Sequence, residues 1–216
     1  MSVIPGAHNV VINVGQIIAQ SKYYNQSGTT GMDILYEAST PEASIDAEEQ
    51  DYTPSCYEGT HEQYIKNITT WATASNEDDS IPLLYWMKGP AAVGKSAIAQ
   101  TCAKHLKESG HLATAFFFSI RGQCKDHTCF FPTLTYQLST TLPDYCDILN
   151  HKVSVDRTII KKMMLSQFIY LITELLWEFR EQGKDIQRRT IFLDGLEKCH
   201  STSIQMEIIK IITLLI

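Results

Sequence analysis

The chain has 216 residues, of which 44% are hydrophobic and 19% charged, a composition typical of a globular protein with one sizeable core. Its 24 acidic and 18 basic side chains give a net charge of -6, so the basic excess that general nucleic-acid binding requires is missing. The sequence has neither a secretory start nor a run of about 18 apolar residues. We therefore expect a cytoplasmic protein whose partners include neither nucleic acid nor membrane.

Residues 1–55 are predicted to be a leader or linker that is largely disordered. The stretch "YNQSGTTGMD" is rich in turn residues, and "STPEASIDAEEQDYTP" is acidic with little apolar periodicity. Only "HNVVINV", at 8–14, suggests a short strand. A folded domain is predicted over 56–216, beginning with a helix in "GTHEQYIKNITTWA" for which Thr60 is a plausible N-cap.

The folded part alternates apolar strands with helices. Strands are predicted at "PLLYWMKG", "LATAFFFSI" and "TIFLD". A helix at "KSAIAQTCAKHLKES" is expected to end before Gly110, and "MMLSQFIYLITELLWEFREQG" is a long amphipathic helix closed by Gly183. Further helices are predicted at "PTLTYQLSTTL", "PDYCDILNHKV" and "SIQMEIIKIITLLI". This order predicts an α/β domain with a parallel sheet flanked by helices.

The segment "GPAAVGKS", from Gly89 to Ser96, matches the phosphate-loop pattern GxxxxGK[ST] without a mismatch. The inward-turned amides of such a loop form a nest for phosphate oxygens, and the following helix adds positive charge at its N-terminus. In this pattern Lys95 reaches the outer phosphates and the Ser96 hydroxyl coordinates Mg²⁺. The alternative is an ordinary strand-to-helix turn.

A second pattern is the apolar run that ends at Asp194 in "TIFLD". In phosphate-loop enzymes an acid at this place holds the magnesium ion. Glu197, three residues later, could orient or deprotonate an attacking water, or could equally be an exposed carboxylate at the start of a helix. The six cysteines favour reduced thiols. A zinc site in "CKDHTC" is disfavoured against a polar loop, because no second ligand pair accompanies it.

Four stretches together resemble a known family: "CYEGTHEQYIKNITTWA", "LLYWMKGPAAVGKSAIAQTCAKHL", "FFFSIRG...FFPTLTYQLS" and "IFLDGLEKC". In this order they resemble the NACHT-type, nephrocystin-like N-terminal P-loop NTPase domains of fungal NLR-like proteins, which are STAND signalling ATPases. The resemblance implies a P-loop NTPase fold and a switch that binds ATP or GTP with Mg²⁺. It also implies self-association, or association with full-length relatives, on activation.

The resemblance also implies a set of site residues. Asp194 and Ser96 would be the magnesium partners. Glu197 stays the candidate catalytic residue because of its position three residues after Asp194. Gly59 and Thr60 would lie near the base or ribose. The remaining nucleotide-binding positions are Gly89, Pro90, Ala91, Ala92, Val93, Gly94, Lys95, Ser96 and Ala97.

Three positions depart from the family's pattern. Ala92 stands where the loop usually has glycine, and His61 follows "GT" where arginine is usual. The third is Lys198, which replaces the second of two adjacent acids after the strand. A lysine there would disturb water activation more than nucleotide binding.

Relatives of this kind continue beyond the acidic strand with a sensor strand, further strands, a helical lid and a winged helix. The resemblance therefore implies a truncated domain that binds nucleotide and hydrolyses it weakly or not at all. Arg121 is the one nearby arginine that could serve as a finger, although a solvated loop charge is favoured. Two alternatives stay open: a non-enzymatic interaction module, and a gene-model fragment without activity of its own.

Overall fold

The computed structural model describes residues 29–47, 55–74, 81–119, 127–183, 188–199 and 201–214. This part of the chain is mixed α/β and mostly helical. Short 3₁₀ turns lie at Pro41–Ala43, His127–Cys129, Ile159–Lys161 and Leu196–Lys198. The main elements are α1 (Gly31–Ala38), α2 (Glu62–Ala72), α3 (Lys95–Glu108), β1 (Leu112–Phe117), α4 (Phe130–Thr141), α5 (Pro143–Val155), α6 (Met164–Phe168), a π-helical turn (Ile169–Thr173), α7 (Glu174–Glu181), β2 (Thr190–Asp194) and α8 (Thr202–Thr213).

Strands β1 and β2 form a two-stranded parallel sheet in which Phe117 lies opposite Asp194. Successive side chains of β1 point to opposite faces of the sheet, and both faces are packed. Phe116 enters the large core formed by α1 and α4 to α8, whereas Ala115 and Phe117 pack against α3. Burial on both faces explains why every residue of the strand except Thr114 is apolar, as is usual for parallel sheets.

The prediction of a buried strand at "PLLYWMKG" is not confirmed. Residues 82–90 have no regular secondary structure, and Leu83 and Trp86 are 59% and 62% exposed. The segment is held by α2 instead: the Trp71 indole N–H donates to the Pro82 carbonyl oxygen at 2.6 Å, and its ring lies 5.5 Å from that of Tyr85. An apolar run becomes a strand only beside another strand, and no described strand pairs with this one.

Residues 29–47 are regular and packed, which differs from the weak order predicted for 1–55. Helix α1 starts with a capping box, in which the Thr30 side chain accepts from the Asp33 amide and the Asp33 carboxylate accepts from the Thr30 amide. Leu35 and Ala43 are fully buried. The strand predicted at 8–14, like Arg121, lies outside the described residues, and the domain boundary near residue 55 stays a prediction.

The other predicted helices and strands are confirmed with small changes. Gly110 and Gly183 lie just beyond helix ends at φ 75° and 74°. The long helix contains the π-helical turn, which no sequence pattern indicated. The prediction of Thr60 as N-cap of α2 is wrong: His61 occupies that place, and the Thr60 hydroxyl donates to the Tyr57 carbonyl oxygen.

The five described cysteines are all free thiols. None of the helices in the described ranges combines the length and apolar character needed to cross a membrane.

Candidate functional site

The phosphate-loop segment runs exposed from Gly89 to Val93 and then enters α3. Gly94 is the N-cap of this helix at φ 85°, a left-handed conformation that glycine adopts without strain. Its carbonyl oxygen accepts the first helical hydrogen bond, from the Ile98 amide at 2.9 Å. The amides at the start of α3 therefore face the loop without intrahelical partners, as an anion site needs.

Lys95 is turned back into the loop. Its ammonium donates to the Gly89 carbonyl oxygen at 3.0 Å and to the Pro90 carbonyl oxygen at 2.6 Å. These bonds place one positive charge within the curve of the loop. Since charge-assisted bonds to phosphate are stronger than bonds to neutral carbonyls, an incoming phosphate could attract the ammonium away from these two partners.

The two predicted magnesium partners come from neighbouring elements. Ser96 is half-buried in the first turn of α3, and Asp194 is half-buried at the end of β2. Phe192, two residues before Asp194, packs against a small cluster that includes Ile98, two residues after Ser96. A hydroxyl and a carboxylate suit Mg²⁺, which takes oxygen ligands and relies on substrate phosphates for the others.

The segment after Asp194 bends sharply at Gly195, which has φ 74°. A Cβ at this glycine would lie 2.7 Å from the Phe118 carbonyl oxygen and 3.1 Å from the Lys198 ammonium nitrogen. Lys198 is therefore folded back over the end of the strand. Glu197 is exposed. The position beside the strand end is thus occupied by a cation instead of a second acid.

The turn at Gly59 and Thr60 lies next to the loop through its neighbour His61. The His61 Nε2 atom is 2.9 Å from the place that a Cβ on Gly94 would take. His61 itself has φ 58°, in the left-handed region that only a few non-glycine residues adopt. The imidazole thus lies against the start of α3.

Two features of the site were not predicted from the sequence. One is the position of the His61 ring against Gly94. The other is Gln100 on α3, which is fully buried although both polar atoms of its amide lack a hydrogen-bond partner in the described structure. A glutamine within an amphipathic helix carries no sequence pattern that marks it as buried, so only the packing of α3 reveals it.

Cysteine chemistry is disfavoured beneath the loop. Burial raises the pKa of the Cys102 thiol on α3 to about 12, and the nearby Cys56 thiol adds to the shift. A thiol held in its protonated form is a poor nucleophile. Over the described ranges, His, Cys, Asp and Glu side chains do not gather in any group of three that could hold a metal ion. Cys124 of the "CKDHTC" segment lies outside those ranges.

One known family matches most of the chain. Residues 59–216 match the family described as "Nephrocystin 3, N-terminal". The chain belongs to this nephrocystin 3 N-terminal family. The match begins at the Gly59 turn and includes the phosphate loop, both strands and the segment around Glu197. No curated protein and no solved structure matches the chain.

Proposed function

We propose that this member of the nephrocystin 3 N-terminal family binds ATP or GTP with Mg²⁺ at the loop formed by residues 89–96. The observation that carries the proposal is the left-handed Gly94 at the start of α3 together with the Lys95 ammonium turned into the loop. Helix amides and a cation at one place are the chemistry of an anion site. The nucleotide-dependent switch and the self-association that the resemblance implies belong to the same proposal.

The individual residues fit this ligand. Loop amides and Lys95 would bind the phosphates, with Ser96 and Asp194 as the oxygen ligands for Mg²⁺. Magnesium would neutralise phosphate charge and fix the phosphate geometry. The turn at Gly59 and Thr60 would contact the base or ribose, because His61 brings it to the helix end of the loop.

Binding is tested with Lys95→Ala. Wild-type protein at a nucleotide concentration of about 100 times its Kd should gain about 2.7 kcal/mol in unfolding free energy. The variant loses the one ammonium in the loop and should show no such gain. Lys104→Ala is the matched control, since Lys104 lies on the same helix, outside the loop, where its ammonium donates to the Ser55 hydroxyl at 3.4 Å. An equal thermal shift in Lys95→Ala and wild type would exclude the loop as the site.

Hydrolysis should be weak, because Lys198 occupies the place where an acid would help Glu197 activate water. We expect wild-type turnover far below about one per second, the lower end of ordinary enzyme rates. Lys198→Glu should raise phosphate release at least about tenfold, since a positioned general base contributes ~10²–10⁴. Lys198→Gln, which only removes the charge, is the control. Wild-type turnover near one per second, lost in both Lys95→Ala and Glu197→Gln, would contradict the expectation.

The alternative, a non-enzymatic interaction module, has one observation in its favour. The apolar side chains of Leu83, Leu84, Tyr85 and Trp86 are consecutive and exposed by 37–62%. Exposed apolar patches of this kind mark interaction sites. Protein that binds neither ATP nor GTP in the shift assay yet forms oligomers in solution would favour this alternative.

A further inference from the structure

The amide of Gln100 is an anomaly within the described structure. The residue has 0% exposure, and its Oε1 and Nε2 atoms have no hydrogen-bond partner there. Native proteins rarely leave buried polar atoms unpaired, because such atoms lose their bonds to water and gain nothing in return. An orphaned amide therefore points to a hydrogen bond that forms only when a ligand binds.

The position of Gln100 on α3 indicates which residue its amide could bond. Ser96 precedes it by four residues, so the two side chains share one face of the helix. Helical side chains also lean toward the N-terminus, which tilts the Gln100 side chain toward the turn that contains Ser96. Glutamine can bond a polar side chain at this spacing.

A serine hydroxyl that coordinates a metal ion could make the hydrogen bond that the Gln100 amide lacks. When a hydroxyl coordinates Mg²⁺ through an oxygen lone pair, its proton must point elsewhere and needs an acceptor. The free Oε1 atom of Gln100 is such an acceptor one helical turn away. We propose that Gln100 is a positioning residue of the nucleotide site, accepting a hydrogen bond from the Ser96 hydroxyl when that hydroxyl coordinates Mg²⁺. This inference rests on the nucleotide binding proposed above.

Gln167 on α6 provides a comparison within the same chain. It is also a buried glutamine with an unpaired Oε1 atom, but its Nε2 atom donates to the carbonyl oxygens of Ile160 and Lys162, at 3.1 Å and 2.8 Å. It packs in the large core, whereas the neighbours of Gln100 on α3, Ala99 and Ala103, pack against β1 in a separate cluster. Gln167 thus has a structural role within the protein itself, whereas Gln100 has no bond of that kind.

The test replaces each glutamine by methionine, which keeps the length and the helix propensity but removes the amide. Melting temperature is measured without nucleotide, and Kd for ATP and for GTP is measured with Mg²⁺ and with EDTA. Gln100→Met should raise the melting temperature by a few degrees and weaken Mg²⁺-nucleotide binding about tenfold, with no change in EDTA. Gln167→Met should lower the melting temperature and leave both affinities unchanged.

A double variant identifies the bond itself. If Gln100 acts through the Ser96 hydroxyl, Gln100→Met should have no further effect on affinity in a Ser96→Ala background. Any of four results would overturn the assignment. Two concern Gln100→Met alone: a lower melting temperature, or an unchanged Mg²⁺-nucleotide affinity. The others are an equal loss of nucleotide affinity in EDTA, and an undiminished effect of Gln100→Met on affinity in the Ser96→Ala background. If wild-type protein binds neither nucleotide, the proposed function falls and this inference with it. Wild-type binding that Gln100→Met does not alter would overturn the inference alone.

Discussion

Ala92 is the residue in the phosphate loop whose backbone is most unfavourable. Its φ of 63° lies in the left-handed region, where a Cβ atom approaches the following carbonyl oxygen. Glycine has no Cβ and adopts this conformation freely, whereas for alanine it costs about 1–2 kcal/mol of conformational free energy. The side chain is exposed, so no buried contact of the alanine methyl offsets this strain.

Ala92→Gly should therefore stabilise the protein. The relief of about 1–2 kcal/mol is partly offset, because glycine raises the entropy of the unfolded chain by an amount worth about 0.4–1 kcal/mol. A net gain of about 1 kcal/mol would raise the melting temperature by about 2–4 °C. Ala92→Val, with a β-branched side chain at the same φ, should lower it. If thermal unfolding shows the glycine variant to be less stable than the valine variant, Ala92 is not strained.

The loop pattern alone was sufficient to predict some of these residue-level features but not others. The pattern places a glycine directly before the lysine, and the structure has a left-handed residue at this place, the start of α3. The orphaned amide of Gln100 could not be predicted, because burial of one helix face depends on what packs against it. The contact of His61 with Gly94 joins positions far apart in sequence, so it follows from the path of the chain.

At the scale of elements, three apolar runs looked alike in the sequence, and two of them became strands. The runs at 112–117 and 190–194 pair with each other, whereas the run at 82–88 has no regular secondary structure and is mostly exposed. Periodicity shows that a segment can be a strand, but not whether a neighbour is available to pair with it. Helix α1 was missed for a similar reason: its eight residues are too short to show a clear period, although its Thr30–Asp33 capping box is visible in the sequence.

The outer edge of β1 is closed by side chains of α4. The Gln137 Oε1 atom accepts from the Ala115 amide at 3.0 Å and from the Thr114 hydroxyl, and its Nε2 atom donates to the Ala115 carbonyl oxygen at 2.9 Å. The amide of one glutamine thus makes the bonds that a further strand would make. The Thr141 hydroxyl adds a bond to the Ala113 carbonyl oxygen at 3.2 Å. Sheet edges left open invite pairing with other chains, so this closure protects the sheet.

Gln137→Leu should destabilise the protein and promote aggregation. The substitution keeps the side-chain volume but leaves the Ala115 amide and carbonyl groups without partners, at a cost of about 1–3 kcal/mol for an unsatisfied buried group. Thr141→Val, which removes a single longer bond, should cost less. Urea unfolding gives the stability, and light scattering gives the aggregation. Equal stability of Gln137→Leu and wild type would mean that the edge is not held by this amide.

At the scale of the whole molecule, the packed core extends beyond the family match. The match starts at residue 59, yet α1 contacts α4 and α5 and contributes Ile34 and Leu35 to the large core. The first amides of α1 are bonded by α5, with Gly31 donating to the Ser154 hydroxyl at 2.9 Å. A Cβ at Gly31 would lie 2.3 Å from the Asn150 carbonyl oxygen, so only glycine permits this approach. Residues 29–47 therefore pack on this core, outside the residues that the family match covers.

A chain that begins at residue 48 should accordingly be much less stable than one that begins at residue 29. The deletion removes three large buried side chains, Ile34, Leu35 and Ile45. At about 1.5–3 kcal/mol each, their loss amounts to roughly 5–9 kcal/mol, which is comparable to the whole stability of an ordinary domain, about 5–15 kcal/mol. The ion pair of Asp46 with Lys107 is also lost, but it is more than half exposed and should contribute little.

The two chains are compared by thermal unfolding under identical conditions, with Gly31→Ala in the full-length protein as a point variant directed at the same contact. We expect the chain from residue 29 to melt cooperatively, the chain from residue 48 to be largely unfolded or aggregated, and Gly31→Ala to melt at a lower temperature than wild type. The deletion removes α1 outright, whereas the added methyl group only forces it away from α5, so the deletion should have the larger effect. Melting of the shorter chain within a few degrees of the longer one would show that α1 is dispensable, and that the folded unit begins near the family boundary.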